Sequence, residues 1–139
     1  MKILPLLASL VLATVSAVAN AGLAIIAHPS NPTTGITADE AARVYLGKTR
    51  TLSSGTQVTA VDQGAGAARD KFYKSVVQMD DRAVKTHWSK LLFTGKARPP
   101  QELGGDEAVK EFVSRNPDAI GYVDGKVLDR SVKVLLIVP

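Results

Sequence analysis

The chain contains no cysteine, and aromatic residues make up only 5% of it. In a protein that carries an export signal, as argued below, the first absence removes several possibilities together: disulfides, thiolate metal ligands, a cysteine nucleophile and a lipid-modified N-terminus. Stability must then come from packing alone. The second absence counts against a single-strand nucleic-acid binder, which needs rings interleaved with basic residues for stacking. Charge is not gathered in blocks either. Arg43, Lys48, Arg69, Lys74, Lys85, Lys90, Lys110, Arg115, Lys126 and Lys133 are scattered among carboxylates, the pattern of a solvated surface. There is no internal repeat and no low-complexity segment.

What is present begins with a leader. Lys2 precedes a mostly apolar run from Ile3 to Val18, and Ala19-Asn20-Ala21 supplies small residues where a signal peptidase reads. The run is short and interrupted by Pro5, Ser9, Thr14 and Ser16, and no second apolar stretch follows to stop transfer. The expected division is a signal peptide over residues 1–21, cleaved after Ala21, and an exported domain over 22–139. Without Lys2 the formal net charge falls from +4 to +3. The remaining 118 residues (139 − 21) suit one domain with one hydrophobic core.

Leu23 to His28 is a continuous apolar run of strand length, as expected for a strand buried on both faces. Pro29 and Pro32 force an irregular loop after it. Thr37-Ala38-Asp39-Glu40 has capping-box spacing and opens a helix with Ala41, Val44 and Tyr45 inward and Gly47 as its stop. A second strand around Val58 to Val61 leads into a helix carrying Ala68, Phe72 and Val76, with Arg69, Tyr73 and Val77 one step round. Asp80 or Asp81 caps a third helix bearing Val84, Trp88, Leu91 and Leu92. Lys96 to Gly104, with Pro99-Pro100, reads as loop. Asp106 is expected to cap a fourth helix with Val109, Phe112 and Val113 inward, stopped by Asn116-Pro117. Two strands, Ala119 to Val123 and Val132 to Val138, close the chain. The order indicates an α/β domain with a small mixed sheet of about four strands flanked by helices. Ligands of such sheets bind outside the carboxyl ends of strands. The loops at 29–31 and 62–66 both follow strands, so a shared site is expected.

The organising stretch is Val58 to Val77. Asp62-Gln63-Gly64-Ala65-Gly66-Ala67-Ala68-Arg69 joins a strand to a helix, and glycines there let backbone approach a ligand while the helix start offers unpaired N–H groups. That is the physics of an anion site, although a tight strand-to-helix turn needs the same glycines. Asp62 can accept from a protonated oxyanion or from Arg69, or it can cap the following helix. Arg69 can reach an anion on the loop, or pair with Asp70 or another carboxylate.

Taken in series, several segments carry a family resemblance. Asn31-Pro32 is followed by Ala42-Arg43-Val44-Tyr45-Leu46-Gly47-Lys48, then by a strand leading to Gly64 through Tyr73. Phe93-Thr94-Gly95-Lys96 with Pro99-Pro100 and Ala119-Ile120-Gly121-Tyr122-Val123 complete the series. Together they resemble the phosphate-type periplasmic substrate-binding proteins of ABC transporters, in particular short relatives equivalent to one lobe. The resemblance implies a single lobe of the type II periplasmic-binding-protein fold. It implies a ligand-binding set of Ser30, Asn31, Asp62, Gln63, Gly64, Ala65, Gly66, Ala67 and Arg69. Its partners would be a small phosphate-like oxyanion and an ABC transporter permease or another envelope protein, with a homodimer as one way to supply a second wall. In the family, serine or threonine hydroxyls of this loop help hold phosphate; here alanines stand in their place. That departure keeps open a second reading, a ligand-free lobe that serves as an interaction domain and exposes an apolar patch.

Other chemistry is weaker. Gly64-x-Gly66-x-x-Arg69 puts arginine where a dinucleotide fingerprint needs its third glycine, and it does not follow the first strand. His28 and His87 lie in different elements without metal-ligand spacing, so no metal and no cofactor is expected. Ser30, between Pro29 and Asn31, has no nucleophile elbow around it, and no enzymatic activity is expected.

Overall fold

The computed structural model describes residues 22–139, so the leader expected over 1–21 lies outside the described residues. Strand β1 (Leu23–Ala27) is buried along its whole length, as its unbroken apolar sequence requires. Helix α1 (Ala38–Tyr45) follows the irregular loop, and its capping box is formed: Glu40 N–H donates to Thr37 Oγ1 at 3.1 Å, and Thr37 N–H to Glu40 Oε2 at 3.4 Å. Gly47, at φ 72°, lies just past its end, in the left-handed region that a Cβ disfavours. Strand β2 (Thr59–Gln63) leads into helix α2 (Ala67–Phe72), which widens into a π-helical turn over Tyr73–Val77. Helix α3 (Asp81–Thr94) is capped by Asp80, whose Oδ1 accepts from Ala83 N–H at 2.8 Å, and ends at Gly95. Strand β3 (Gln101–Leu103), helix α4 (Asp106–Arg115), strand β4 (Ala119–Asp124), a 3₁₀ turn (Gly125–Val127) and strand β5 (Lys133–Val138) complete the chain.

The sheet has five strands in the order β3-β2-β4-β1-β5. Strands β2, β3 and β4 run parallel, while β1 is antiparallel to both β4 and β5. The fifth strand corrects the expected count of about four. β3 lies inside the segment read as loop, and its Gln-Glu-Leu sequence has no apolar alternation to reveal it. Main-chain pairing with β2, at Val61↔Gln101 through Gln63↔Leu103, holds it at the edge.

The period-two alternation of β1 divides the core between two faces. Leu23, Ile25 and Ala27 join Ile120 and Tyr122 against α1, α2, the π turn and α3. Ala24 and Ile26 join Val61, Ala119 and Val123 against Val109 and Val113 of α4. The result is three layers, with α4 alone on the second face. α4 approaches so closely that a Cβ on Gly121 of β4 would lie 2.5 Å from Val109 Cγ1. Glycine is required there by packing, not by backbone conformation.

Two side-chain expectations are corrected. Leu92, placed on the packed side of α3, is 52% exposed, because the buried line runs through Val84 and Trp88 to the partly buried Leu91, and Leu92 falls a further 100° round. Asp106 is the first residue of α4 and not its cap; Gly105 occupies that position and makes no side-chain cap bond.

Candidate functional site

Three parallel strands ending together place Gln63, Leu103 and Asp124 along one edge of the sheet, and the glycine loop springs from that edge. Gly64 N–H extends the β2–β3 pairing to Leu103 O at 3.3 Å. Beyond it the chain turns outward, and Ala65, Gly66 and Ala67 are exposed. Gly66 caps α2 without a side chain, and the first bond of the helix runs from Asp70 N–H to Gly66 O at 3.0 Å. Among the described residues no acceptor engages the amides of Ala65 through Arg69. A Cβ on Gly64 would meet nothing within 4 Å, and neither glycine here needs the left-handed region. Their small size serves access to the loop backbone.

Beneath the loop lies a buried polar network centred on Asp62, which is 3% exposed. Tyr73 and Tyr122 both donate their hydroxyls to its carboxylate, and Gln63 N–H donates to Oδ1 at 2.8 Å. Arg69 Nη1 pairs with Asp62 Oδ2 at 3.0 Å, donates to Gln63 O at 3.0 Å and lies 3.3 Å from Glu102 Oε1. Its guanidinium also sits over the Tyr73 ring, 4.7 Å from the centroid. Gln63 donates from Nε2 to Asp106 Oδ1 and to Tyr122 O, each at 2.8 Å, and Asp106 Oδ1 further accepts from Asp124 N–H at 3.1 Å. The first residue of α4 thereby ties β2 to β4. Below the network, Phe72 stacks on Tyr122 with centroids 4.0 Å apart, and Tyr45 meets Phe72 edge-on at 4.6 Å.

Electrostatics follow from this burial. The Tyr73 and Tyr122 hydroxyls are pushed well above the usual phenol range, first by burial and then by the adjacent Asp62 charge, so both remain donors. Tyr45, whose hydroxyl donates to Val61 O at 2.9 Å, is raised for the same two reasons. For Arg69, burial works against its charge, but Asp62, Tyr73, Tyr122 and Glu102 outweigh it and raise its pKa. Only Nη1 of Arg69 is engaged among the described residues, which leaves the donors on Nη2 and Nε available. A cleft of about 390 Å³ opens beside the cluster, lined by Asp62, Arg69, Tyr73, Glu102, Trp88 and Pro99 among others.

The expected residues divide by position. Gly64, Ala65, Gly66, Ala67 and Arg69 share one edge, with Asp62 and Gln63 directly below them, Asp62 saturated by internal bonds and Gln63 tied down through its N–H, Nε2 and carbonyl. Ser30 and Asn31 lie elsewhere. β1 is antiparallel to β4, with Ala27 opposite Ile120, while Ile120 is level with Ala60 at the beginning of β2. The loop after β1 therefore leaves from the opposite edge of the sheet, and the expected shared edge for 29–31 and 62–66 is corrected. There Ser30 Oγ is 2.7 Å from His28 Nδ1, and Asn31 O accepts from Lys133 Nζ at 2.9 Å. His87 donates from Nε2 to Leu46 O at 2.6 Å, a link between α3 and the end of α1. Tyr73, Tyr122, Glu102 and Asp106 are not among the site residues expected from sequence. There Tyr73 falls one step round its helix, Tyr122 in a closing strand and Asp106 at a helix cap, and Glu102 sits in the unrecognised strand.

No protein-family model matches the chain, and neither does any curated protein sequence. Solved structures do. A proposed phosphate ABC transporter substrate-binding protein with bound phosphate from Clostridium perfringens is 24% identical, with a TM-score of 0.64 over 82% of this chain and 44% of that one. An ABC-type phosphate transport receptor from Vibrio cholerae is 22% identical, also with a TM-score of 0.64, over 82% of this chain and 45% of its own. PstS from Borrelia burgdorferi, 12% identical, gives 0.58 over 82% and 46%. The chain spans less than half the length of these proteins. Its fold is that of about half of a phosphate-type substrate-binding protein, the architecture implied by the resemblance.

Proposed function

We propose that the chain is a periplasmic solute-binding module for a small, phosphate-like oxyanion, made as a precursor whose residues 1–21 are removed on export and working with an ABC transporter. The observation that carries the reading is the run of unengaged amides from Ala65 to Arg69 beside the spare guanidinium donors of Arg69. The half-receptor fold supports it, since one structural neighbour holds bound phosphate and another is a phosphate transport receptor.

In this reading the loop amides and Arg69 hold the anion, and Asp62 and Gln63 position them. Asp62 fixes the guanidinium, while Gln63 locks the loop's starting strand to β4 and α4. Glu102, with 59% of its side chain exposed, is the acceptor within reach of Arg69 that can accept a hydrogen bond from a ligand hydroxyl. A single wall without hydroxyls makes the site weak. Affinity is expected near millimolar, about 4 kcal/mol, rather than the about 8 kcal/mol of a micromolar site. A permease, another envelope protein or a second copy of the chain would supply the opposing wall.

Calorimetric titration of the exported protein with phosphate and sulfate at low salt tests this. Saturable heat with phosphate, lost in Arg69→Ala, supports the module. Phosphate binding unaffected by that change, or no heat at all, refutes it. A second reading, an interaction lobe without a small ligand, is favoured by Phe93, which is 93% exposed beside Leu92.

A further inference from the structure

We propose a second anion site, independent of the glycine loop, in the groove between the segment after α1 and the segment after α3, with a small organic polyanion as its ligand. The groove holds about 370 Å³, within the size range of small-molecule sites. Arg50, Lys96 and Arg98 line it, and no carboxylate does. All three are exposed, and none has an acidic partner among the described residues. Other surface cations, such as Lys48, Lys85 and Lys90, also have no carboxylate partner among the described residues; what sets these three apart is that they line one concavity together. Cations left unpaired around one concavity raise its potential together, because low-dielectric walls focus their field.

The walls set the ligand class. Trp88, Pro99 and Phe112 contribute apolar surface, and Thr49 and Gln101 contribute polar groups. A bare inorganic anion would leave that apolar surface uncovered. A ligand with two or more negative charges on a flat or apolar body uses both. Thr59, also in the groove, spends its hydroxyl on Asp118 Oδ2 at 3.0 Å, which places a carboxylate at the margin and makes Asp118 the group that opposes binding. Thr59 begins β2, so the groove lies toward the opposite end of that strand from Arg69; Trp88, Pro99 and Pro100 line both it and the Arg69 cleft.

The test titrates the exported protein at low salt with a naphthalene trisulfonate fluorophore, followed by anisotropy, and with inorganic tripolyphosphate and phosphate by calorimetry. The trisulfonate is expected to bind saturably. Its affinity should fall about tenfold in the triple variant Arg50→Ala, Lys96→Ala, Arg98→Ala, remain within about twofold in Arg69→Ala, and rise in Asp118→Asn. Raising the ionic strength toward molar should abolish it. Because Arg50, Lys96, Arg98 and Asp118 are exposed, unchanged circular dichroism melts will show that those variants fold; Arg69→Ala, which strips a buried carboxylate of its partner, is titrated well below its own melting midpoint. No saturable binding, binding indifferent to the triple variant, or binding lost in Arg69→Ala overturns the proposal. Loss confined to Arg69→Ala would instead place every bound anion at the glycine loop, so the two sites fail separately.

Discussion

Asp62→Asn should be among the most damaging single changes available to this chain. The carboxylate accepts from Tyr73, Tyr122 and Gln63 N–H while pairing with Arg69 at 3.0 Å. An asparagine keeps one acceptor oxygen but presents an NH₂ where a second acceptor is needed, so one tyrosine hydroxyl faces a donor. Arg69, 18% exposed, keeps only Glu102 as a counter-charge. Removing one partner of a buried pair costs about 3 kcal/mol at the lower end of the usual range, which suits a pair with one partly exposed member. For the 118 described residues, 22–139, unfolding entropy is on the order of 250 cal/mol/K, so the melting midpoint should fall by about 12 °C. Scanning calorimetry of parent and variant at pH 7 reads this directly. A midpoint within about 3 °C of the parent would refute the assignment of Asp62 as the centre of the network. Adding Arg69→Met to Asp62→Asn should recover about 1 kcal/mol, because the orphaned charge leaves with it; a strictly additive double variant would show that the two are not coupled.

Alkaline pH should destabilise the fold from about pH 10 upward. The chain's three tyrosines are all buried with raised pKa values, so their stabilisation is complete below the unfolded value and is lost as the unfolded state alone deprotonates. The limiting slope is about 1.4 kcal/mol per pH unit for each tyrosine, and Tyr122→Phe should lower the total by a third in denaturant melts across pH 9–12. Gly121→Val drives a side chain into Val109 and should cost about 3 kcal/mol by chemical denaturation; a loss under 1 kcal/mol would mean that α4 moves freely off the sheet. Glu40 is opposed in ionising by burial, yet Ser53 and Thr37 hold it below the usual carboxylate range. Its contribution is therefore present above the unfolded value and lost as pH falls through the folded one, and Glu40→Gln should flatten the acid limb of the stability profile. Phe93→Ser removes the most exposed apolar ring and should leave the melting midpoint within about 2 °C while lowering any concentration-dependent association seen by light scattering.

Much of the fold was legible because its signals are local. The capping box at Thr37, the apolar run of β1, Asp80 before α3 and Gly95 after it each act through neighbours a few residues away. What escaped is non-local. β3 is a strand only because β2 offers it a free edge, and the direction of β1 follows from its pairing with β4, which no residue in 23–31 announces. That single reversal is what sends Ser30 and Asn31 to the far edge. Similarly, Tyr73 and Tyr122 carry apolar periodicity in the sequence, and only the meeting of the π-helical turn, β2 and β4 turns their hydroxyls onto Asp62.

The same network constrains how an anion can bind at the loop. Asp62 and Glu102 flank Arg69, so the cluster carries one more negative than positive charge before any ligand arrives. An oxyanion therefore gains little from the guanidinium's net charge and must be held by directed hydrogen bonds from Nη2, Nε and the exposed amides, which are local in reach. Glu102 then acts with opposite sign on different ligands. It repels a fully ionised anion such as sulfate, but it accepts a hydrogen bond from a protonated one such as phosphate near neutral pH. The site's selectivity should come from that carboxylate rather than from Arg69, and Glu102→Gln should bring sulfate binding up toward phosphate binding while leaving the buried Asp62–Arg69 pair in place.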